Sequence, residues 1–343
     1  MKKIAVVFGG ASPEHRESIK SAIILYFNIK KIMNKYNFIF YYITINNEFA
    51  TKSASNAMIT GELSKEAKTT YNFDKKYINN ERVLELRYVD VIYNLMMGPS
   101  GENGNIMGLA DLFKTPIIGC NILSSALCLD KNLTKKLAQS IGVKTSKYLY
   151  IDKEDNINDI IQKIEKKIGF PCFVKPNNLG TCSGVFRAKN AEEFKTKYLK
   201  IIKKNYKSNK YLIEEFIKNK EVRIFIFEDD KKNLIINDNY VTELNFDCIE
   251  NKKDVSLFNS SYNEFSPSLR NKVIKNAIKL FNLFDIKDYA RFDFFIEDKT
   301  NEIYFNEINT QPFFSDKNIK LMKKDGYPFS NFIELMIKKN LKE

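Results

Sequence analysis

Two short stretches late in the chain put oxygen ligands where a buried strand should carry only apolar side chains. In NEINTQPFFS, residues 306–315, Glu307 and Asn309 stand two apart and run into Pro312, Phe313 and Phe314. Upstream, ARFDFFIE sets Arg291 and Asp293 at the same spacing. The whole run ARFDFFIEDKTNEIYFNEIN predicts a hairpin, with turn residues Asp298 to Asn301 between two apolar strands. Strand side chains alternate, so Arg291, Asp293 and Phe295 are expected on one face, and Phe305, Glu307 and Asn309 on one face of the second strand. A register centred near Thr300 sets Asp293 opposite Glu307. Opposed carboxylates on a half-buried sheet repel unless a cation lies between them. An all-oxygen set of Asp, Glu and Asn suits Mg²⁺ completed by water and nucleotide phosphates. The same residues allow a plainer arrangement, in which Arg291 neutralises one acid and solvent the other.

A second set lies in KPNNLGTCSGV. Lys175 ends a strand, and Gly180 and Gly184 bracket Thr181-Cys182-Ser183. Glycines let backbone N–H groups turn toward phosphates while a lysine supplies a point charge. An ordinary glycine turn accounts for the loop as well, and the GxxxxGK[ST] pattern is absent from the chain. Cys182 as a nucleophile lacks a histidine partner, since the only histidine is His15, which reads better as a structural hydrogen-bonding residue.

The elements that must position these groups alternate between strands and helices. KKIAVVFGG reads as a buried strand, followed by Ser12 as an N-cap with Pro13 at the first helical position. Ile19, Ala22, Ile23, Tyr26 and Phe27 then recur at helical spacing. Strands follow at 38–45, 89–95 and 115–119, a pattern that argues a parallel, doubly wound sheet with ligands at strand C-termini. A second α/β unit runs from YLYID through FPCFVKP to VFRAK and a helix, and several strands accumulate from Tyr211 onward.

At 343 residues, two or three packed domains are expected. Five cysteines without paired spacing fit reduced thiols in a cytoplasm, and a single histidine leaves little room for a His-based zinc site. The net charge of +13 is spread along helical faces such as KKIEKKIG and KIIKKNYK, which reads as solvated faces plus an anion site, with no nucleic-acid partner. No apolar run reaches bilayer length, and MKKIAVVFGG reads as a first strand rather than a signal peptide.

Six segments occur in one order: FGGASPEHRESIKSA, GPSGENGNIMGLADLF, SSALCLDKNLTKKLAQSIGVKT, FPCFVKPNNLGTCSGV, IEEFIKNKEV and RFDFF…YFNEINTQP. In these the chain resembles the D-alanine–D-alanine ligase family of the ATP-grasp superfamily, over nearly its whole length. The resemblance implies an α/β ATP-grasp fold: a Rossmann-like N-terminal domain over 1–125, then central (126–212) and C-terminal (213–343) α+β parts that clasp ATP. It implies an ADP-forming carboxylate–amine ligase that works through an acyl phosphate, takes amino-acid substrates, and forms a homodimer in the cytoplasm. Lys131 and Lys175 would contact ATP phosphates, with Thr181 and Cys182 in the lid over them. Glu214, Glu215 and Ile217 would line the adenine edge, Glu221 would take the ribose hydroxyls, and Asn306 would join the nucleotide site. Asp293, Glu307 and Asn309 would hold Mg²⁺, with Mn²⁺ as a substitute. Arg291 would stabilise the acyl phosphate and the tetrahedral intermediate, and Glu14 would hold the first amino acid's ammonium. For Glu14 the residues alone also allow first-turn support of a helix dipole.

The chain departs from the family where the amino acids should bind. Met97 replaces the histidine of the family's HGxxGEDG motif, and Thr181-Cys182-Ser183 replaces Ser-Ser-Val. The mobile-loop region from Asp247 to Pro267 lacks a run like FYDYxxKY, leaving Tyr262 as the candidate for its tyrosine. Phe313 stands where the family has glycine, and Asn318 aligns with a serine used for the second substrate's carboxylate. The nucleotide half therefore matches, while the amino-acid half leaves open another amino acid, a non-amino-acid acceptor, or an ATP-binding paralogue without catalysis.

Overall fold

In a computed structural model, residues 1–62, 74–180, 183–204, 208–242, 265–324 and 326–341 are described. The first sheet is parallel, in the order β2-β1-β3-β4, from β1 (Lys2–Gly9), β2 (Tyr36–Ile43), β3 (Val91–Asn94) and β4 (Ile117–Ile118). Ile4 to Phe8 are fully buried, as a strand covered on both faces requires. At its C-terminal end Gly9 (φ +96°) must be glycine, because a Cβ there would lie 2.1 Å from the Ile43 carbonyl oxygen. Helix α1 (His15–Asn28) begins two residues later than the Ser12-Pro13 reading expects. The Ser12 hydroxyl accepts from the Glu14 N–H at 3.1 Å instead, so Ser12 shapes a turn that delivers Glu14 to the helix start.

The second sheet, order β5-β8-β6-β7, is antiparallel and contains β5 (Tyr148–Asp152), β6 (Cys172–Pro176), β7 (Phe186–Ala188) and β8 (Lys210–Glu215). Its apolar face packs on α6 (Ile157–Lys167) and α7 (Ala191–Lys203) through Val174, Ile213, Ile160, Ile164, Phe194 and Tyr198. β8 carries this sheet past residue 212, to Glu215.

The third sheet, order β10-β9-β11-β12, is also antiparallel: β9 (Asn219–Glu228), β10 (Leu234–Thr242), β11 (Tyr289–Glu297) and β12 (Ile303–Asn309). One face packs on helix α8 (Pro267–Leu283) and on the α4–α5 pair (Ile122–Leu129, Lys131–Ser140), joining Val273, Phe281 and Ala138 to Phe292 and Phe294. At the other face Phe225, Tyr289 and Phe314 meet Phe332 of the C-terminal helix Phe329–Leu341, in the core that also holds Ile4 and Val6 of the first sheet. A Phe305 N–H donating to the Lys144 carbonyl at 2.7 Å ties β12 to the segment before β5. The three sheets thereby meet around one cavity.

Candidate active site

The β11–β12 hairpin forms with Asp293 opposite Glu307 and Arg291 opposite Asn309. A β-bulge follows, so that Phe294 pairs with Phe305. The bulge corrects one expectation. Phe305 does not share a face with Glu307; it is buried in the core against Phe294, with ring centroids 5.8 Å apart. The residue inserted by the bulge is Asn306, and both Asn306 and Glu307 therefore reach the cavity.

That cavity measures about 370 Å³. The loop before α1 sends in Glu14, α5 sends Lys131, and β6 sends Lys175. β8 and the residues after it present Glu214, Glu215 and Ile217, and β9 adds Glu221. β11 and β12 contribute Arg291, Asn306, Glu307 and Asn309, and Met97 and Phe313 line the cavity too. Asp293 lies behind this wall, buried, with both carboxylate oxygens taken by Arg291 at 2.8 Å. Of the expected site residues, Thr181, Cys182 and Tyr262 lie outside the described residues.

Charge is balanced through ion pairs across the cavity. Lys131 Nζ donates to the Leu179 carbonyl at 2.8 Å and stands 3.4 Å from Glu307 Oε2. Lys175 Nζ donates to Glu214 Oε2 at 3.1 Å and to Asn306 Oδ1 at 3.0 Å. Burial opposes ionisation of Glu307, but Lys131, Lys175 and Arg291 outweigh it and hold the carboxyl at about 2. Glu214 is likewise held at about 2, because Lys135 and Lys175 overcome its burial. For Asp293 burial wins over Arg291 and Arg223, and its carboxyl is raised. The Asn309 amide nitrogen lies 3.4 Å from Asp293 Oδ2 and 3.5 Å from Glu307 Oε1, between the two acids.

Glu14, like Asp293, has its carboxyl raised. It is 6% exposed, and its Oε2 meets no hydrogen-bond partner. Burial, then the negative charge of Glu102, push its carboxyl up to about 8 despite Lys131. Two glycines make room for it: a Cβ on Gly98 would lie 2.2 Å from Oε2, and one on Gly180 would lie 2.6 Å from Oε1. A carboxylate in such a cradle, facing a cavity, is suited to a small cation or an ammonium. Met97 closes the same corner, its sulfur 4.0 Å from the Ser21 hydroxyl. Phe313 is half-buried at the cavity, whereas Phe314 turns into the aromatic core beside Phe329 and Phe332. Asn318 also lines the cavity, and its Nδ2 donates to the Phe313 carbonyl at 3.0 Å. His15 has the structural role expected of it, bonding the Gly10 carbonyl at 2.7 Å and the Tyr42 hydroxyl at 3.1 Å.

Sequence reasoning missed three site residues. Lys135, one turn after Lys131, is buried and bonds Ser146 Oγ at 3.2 Å, with Glu214 Oε1 at 3.4 Å. Its signal is the i,i+4 repeat of lysine in DKNLTKK, hidden among other lysines. Glu102, within the quoted GENG segment, is buried and accepts from Gly98 N–H at 2.7 Å, Gln311 N–H at 3.0 Å and the Thr310 hydroxyl at 3.2 Å. It thus pins the segment after β12 to the loop that carries Met97. Arg223 follows Glu221 at strand period and shares the cavity wall with it.

The family model described as D-ala D-ala ligase N-terminus matches residues 3–120, and the one described as D-ala D-ala ligase C-terminus matches 137–338. The chain is 31% identical to the D-alanine–D-alanine ligase of Clostridium novyi (strain NT) over 359 aligned residues, covering 99% of each. It is 32% identical to that of Thermoanaerobacter sp. (strain X514), covering 98% of this chain and 95% of the relative. Among solved structures, the D-alanine–D-alanine ligase of Coxiella burnetii superimposes with a TM-score of 0.77 at 24% identity, covering 100% of this chain and 96% of that one. The VanG D-Ala:D-Ser ligase of Enterococcus faecalis also gives 0.77 at 24% identity, covering 99% of both chains. These structural matches establish a shared mixed α/β fold. With both family models matched and relatives aligned from end to end, the chain belongs to the D-alanine–D-alanine ligase family.

Proposed function

We propose that this chain is an ATP-dependent, ADP-forming ligase that joins the carboxylate of one D-alanine to the amine of a second. The observation that carries the reading is that one cavity is lined by Lys131, Lys175, Arg291 and the Glu307–Asn309 pair together with Glu14, whose Oε2 meets no partner. A carboxylate is a poor electrophile, and transfer of a phosphoryl group to one of its oxygens makes that oxygen a leaving group. The acceptor amine then attacks the carbonyl carbon, the C–O bond to phosphate breaks, and the amide forms.

Each residue's task follows from its charge and place. Glu14 would hold the donor's ammonium, which leaves the donor's carboxylate directed toward the lysines and Arg291. Lys131 and Lys175 would neutralise the nucleotide's phosphates, and Arg291 would face the negative charge that builds on the transferred phosphoryl group and the tetrahedral carbon. Glu214, Glu215, Ile217, Glu221 and Asn306 would hold the base, the sugar and the inner charges of the nucleotide.

The donor set near the hairpin fits a divalent ion. Its members are oxygen donors, Glu307 stays ionised at neutral pH, and the Asn309 amide between the two acids can present its oxygen. Asp293 keeps lone pairs beyond those used by Arg291. Where bound by Asp293, Glu307 and Asn309, Mg²⁺ supplies positive charge to the polyphosphate.

The Phe313 ring at the cavity favours a second reading on acceptor identity, in which the joined amine is not that of D-alanine. ADP release measured with D-alanine alone and with amino-acid pairs, and the product mass, decides. D-Alanyl-D-alanine formed with D-alanine alone supports the first reading. ADP release only with another acceptor supports the second, and no substrate-dependent ADP release contradicts both.

A further inference from the structure

Among the described basic residues lining the cavity, Lys131, Lys175 and Arg291 have parts in the ligase reading, and Arg223 has none. Arg223 lies in β9 directly opposite Asp293 of β11. Its Nη2 donates to Glu221 Oε2 at 2.9 Å. Its Nε stands 3.9 Å from Asp293 Oδ2, beyond hydrogen-bond reach. Nε is buried and meets no acceptor. A buried cationic donor left unpaired is unfavourable, and the guanidinium that carries it lines the cavity, where a ligand anion would offset its charge. The guanidinium fork suits a phosphate in particular.

Position identifies which phosphate. Arg223 stands between Glu221, assigned to the ribose hydroxyls, and Asp293, assigned to the metal beside the terminal phosphates. The group of a nucleotide that lies between ribose and terminal phosphates is the α-phosphate. We propose that Arg223 binds the α-phosphate of the nucleotide through the part of its guanidinium that lines the cavity, with Nη2 remaining on Glu221. The assignment rests on the ligase reading above. It makes Arg223 a substrate-binding residue rather than a mere counter-ion for Glu221.

Calorimetric titration with adenosine, AMP, ADP and ATP separates the two roles. In Arg223→Gln, affinity for all three phosphorylated ligands should fall about ten- to a hundredfold, the range of a lost charged hydrogen bond. Adenosine should change by less than about twofold, since it carries no phosphate. An adenosine loss equal to the AMP loss would show that Arg223 only orients Glu221, and unchanged AMP affinity would equally overturn the assignment. If Arg223→Gln does not fold, Arg223→Lys keeps the charge and loses the fork. It should weaken AMP measurably and spare adenosine, and equal losses for both overturn the assignment there too. A wild-type chain that binds none of the four ligands contradicts the ligase reading itself, and the role of Arg223 falls with it.

Discussion

Glu14 gives a pH-dependent prediction with a worked magnitude. Its carboxyl is pushed up to about 8 by burial and by Glu102, so in the free protein at pH 7 only about one molecule in ten carries the charge that an ammonium needs. Binding a donor amino acid must therefore ionise Glu14. The apparent affinity at pH 7 is reduced by the ionised fraction, about tenfold below its limit, and should rise about tenfold per pH unit between 6 and 7. The same step releases close to one proton per donor bound. Calorimetric titration of D-alanine, with a non-hydrolysable ATP analogue present, reads that proton as the difference between buffers of unlike ionisation enthalpy. Glu14→Gln should abolish both the proton release and the pH slope, along with most of the affinity. The sign for stability is opposite. Because the folded-state value lies above the unfolded one of 4.5, the folded chain binds an extra proton between them, and stability falls as pH rises from about 4.5 to 8. The loss is on the order of 5 kcal/mol by the usual conversion, and Glu14→Gln should flatten it. Wild-type binding with no proton exchange and no pH slope would refute the placement of the ammonium on Glu14.

Three other outcomes follow from the geometry. Lys135→Met leaves Glu214 Oε1 without its cation, although Ser146 and Lys175 still hold Oε2. It should destabilise by about 3 kcal/mol in chemical denaturation, with at least half recovered when Glu214→Gln is added. Gly101→Ala sets a Cβ 1.9 Å from the Met96 carbonyl oxygen, so the loop that carries Met97 must shift. A loss of about 1–3 kcal/mol is expected, and a melting temperature equal to wild type would contradict the packing. Phe313→Gly should raise kcat/KM for D-alanine as acceptor and leave the KM for ATP unchanged, measured by ADP release. An unchanged kcat/KM for D-alanine would show that the ring does not meet the acceptor.

Much of the hairpin could be read from residue order. Alternation and the DKTN turn are local properties, and the opposition of Asp293 and Glu307 follows from them. The bulge does not. It depends on how Phe305 reaches the core and on its N–H bond to Lys144, both set by distant segments. Glu14, Lys175 and Glu307 come from three different sheets or their loops, and the family pattern, not periodicity, is what links them. Lys135 was hidden for a physical reason: lysine is normally a surface residue, and only the buried Glu214 explains why this one is inside. The start of α1 is not legible in the sequence, because Ser12 and Pro13 suit either a helix cap or the turn before one, and the bond from Glu14 N–H selects the turn. Phe313 and Phe314 are the same residue type in sequence, and only packing separates the cavity wall from the core.

The most direct test of the ligase account follows one oxygen atom. D-Alanine labelled with ¹⁸O in its carboxylate is incubated with the protein, ATP and Mg²⁺, and the inorganic phosphate is analysed by mass. If the carboxylate is phosphorylated and the amine then displaces phosphate, each phosphate released with the dipeptide carries one labelled oxygen. Dipeptide formed with unlabelled phosphate, or label recovered in AMP, would contradict the account.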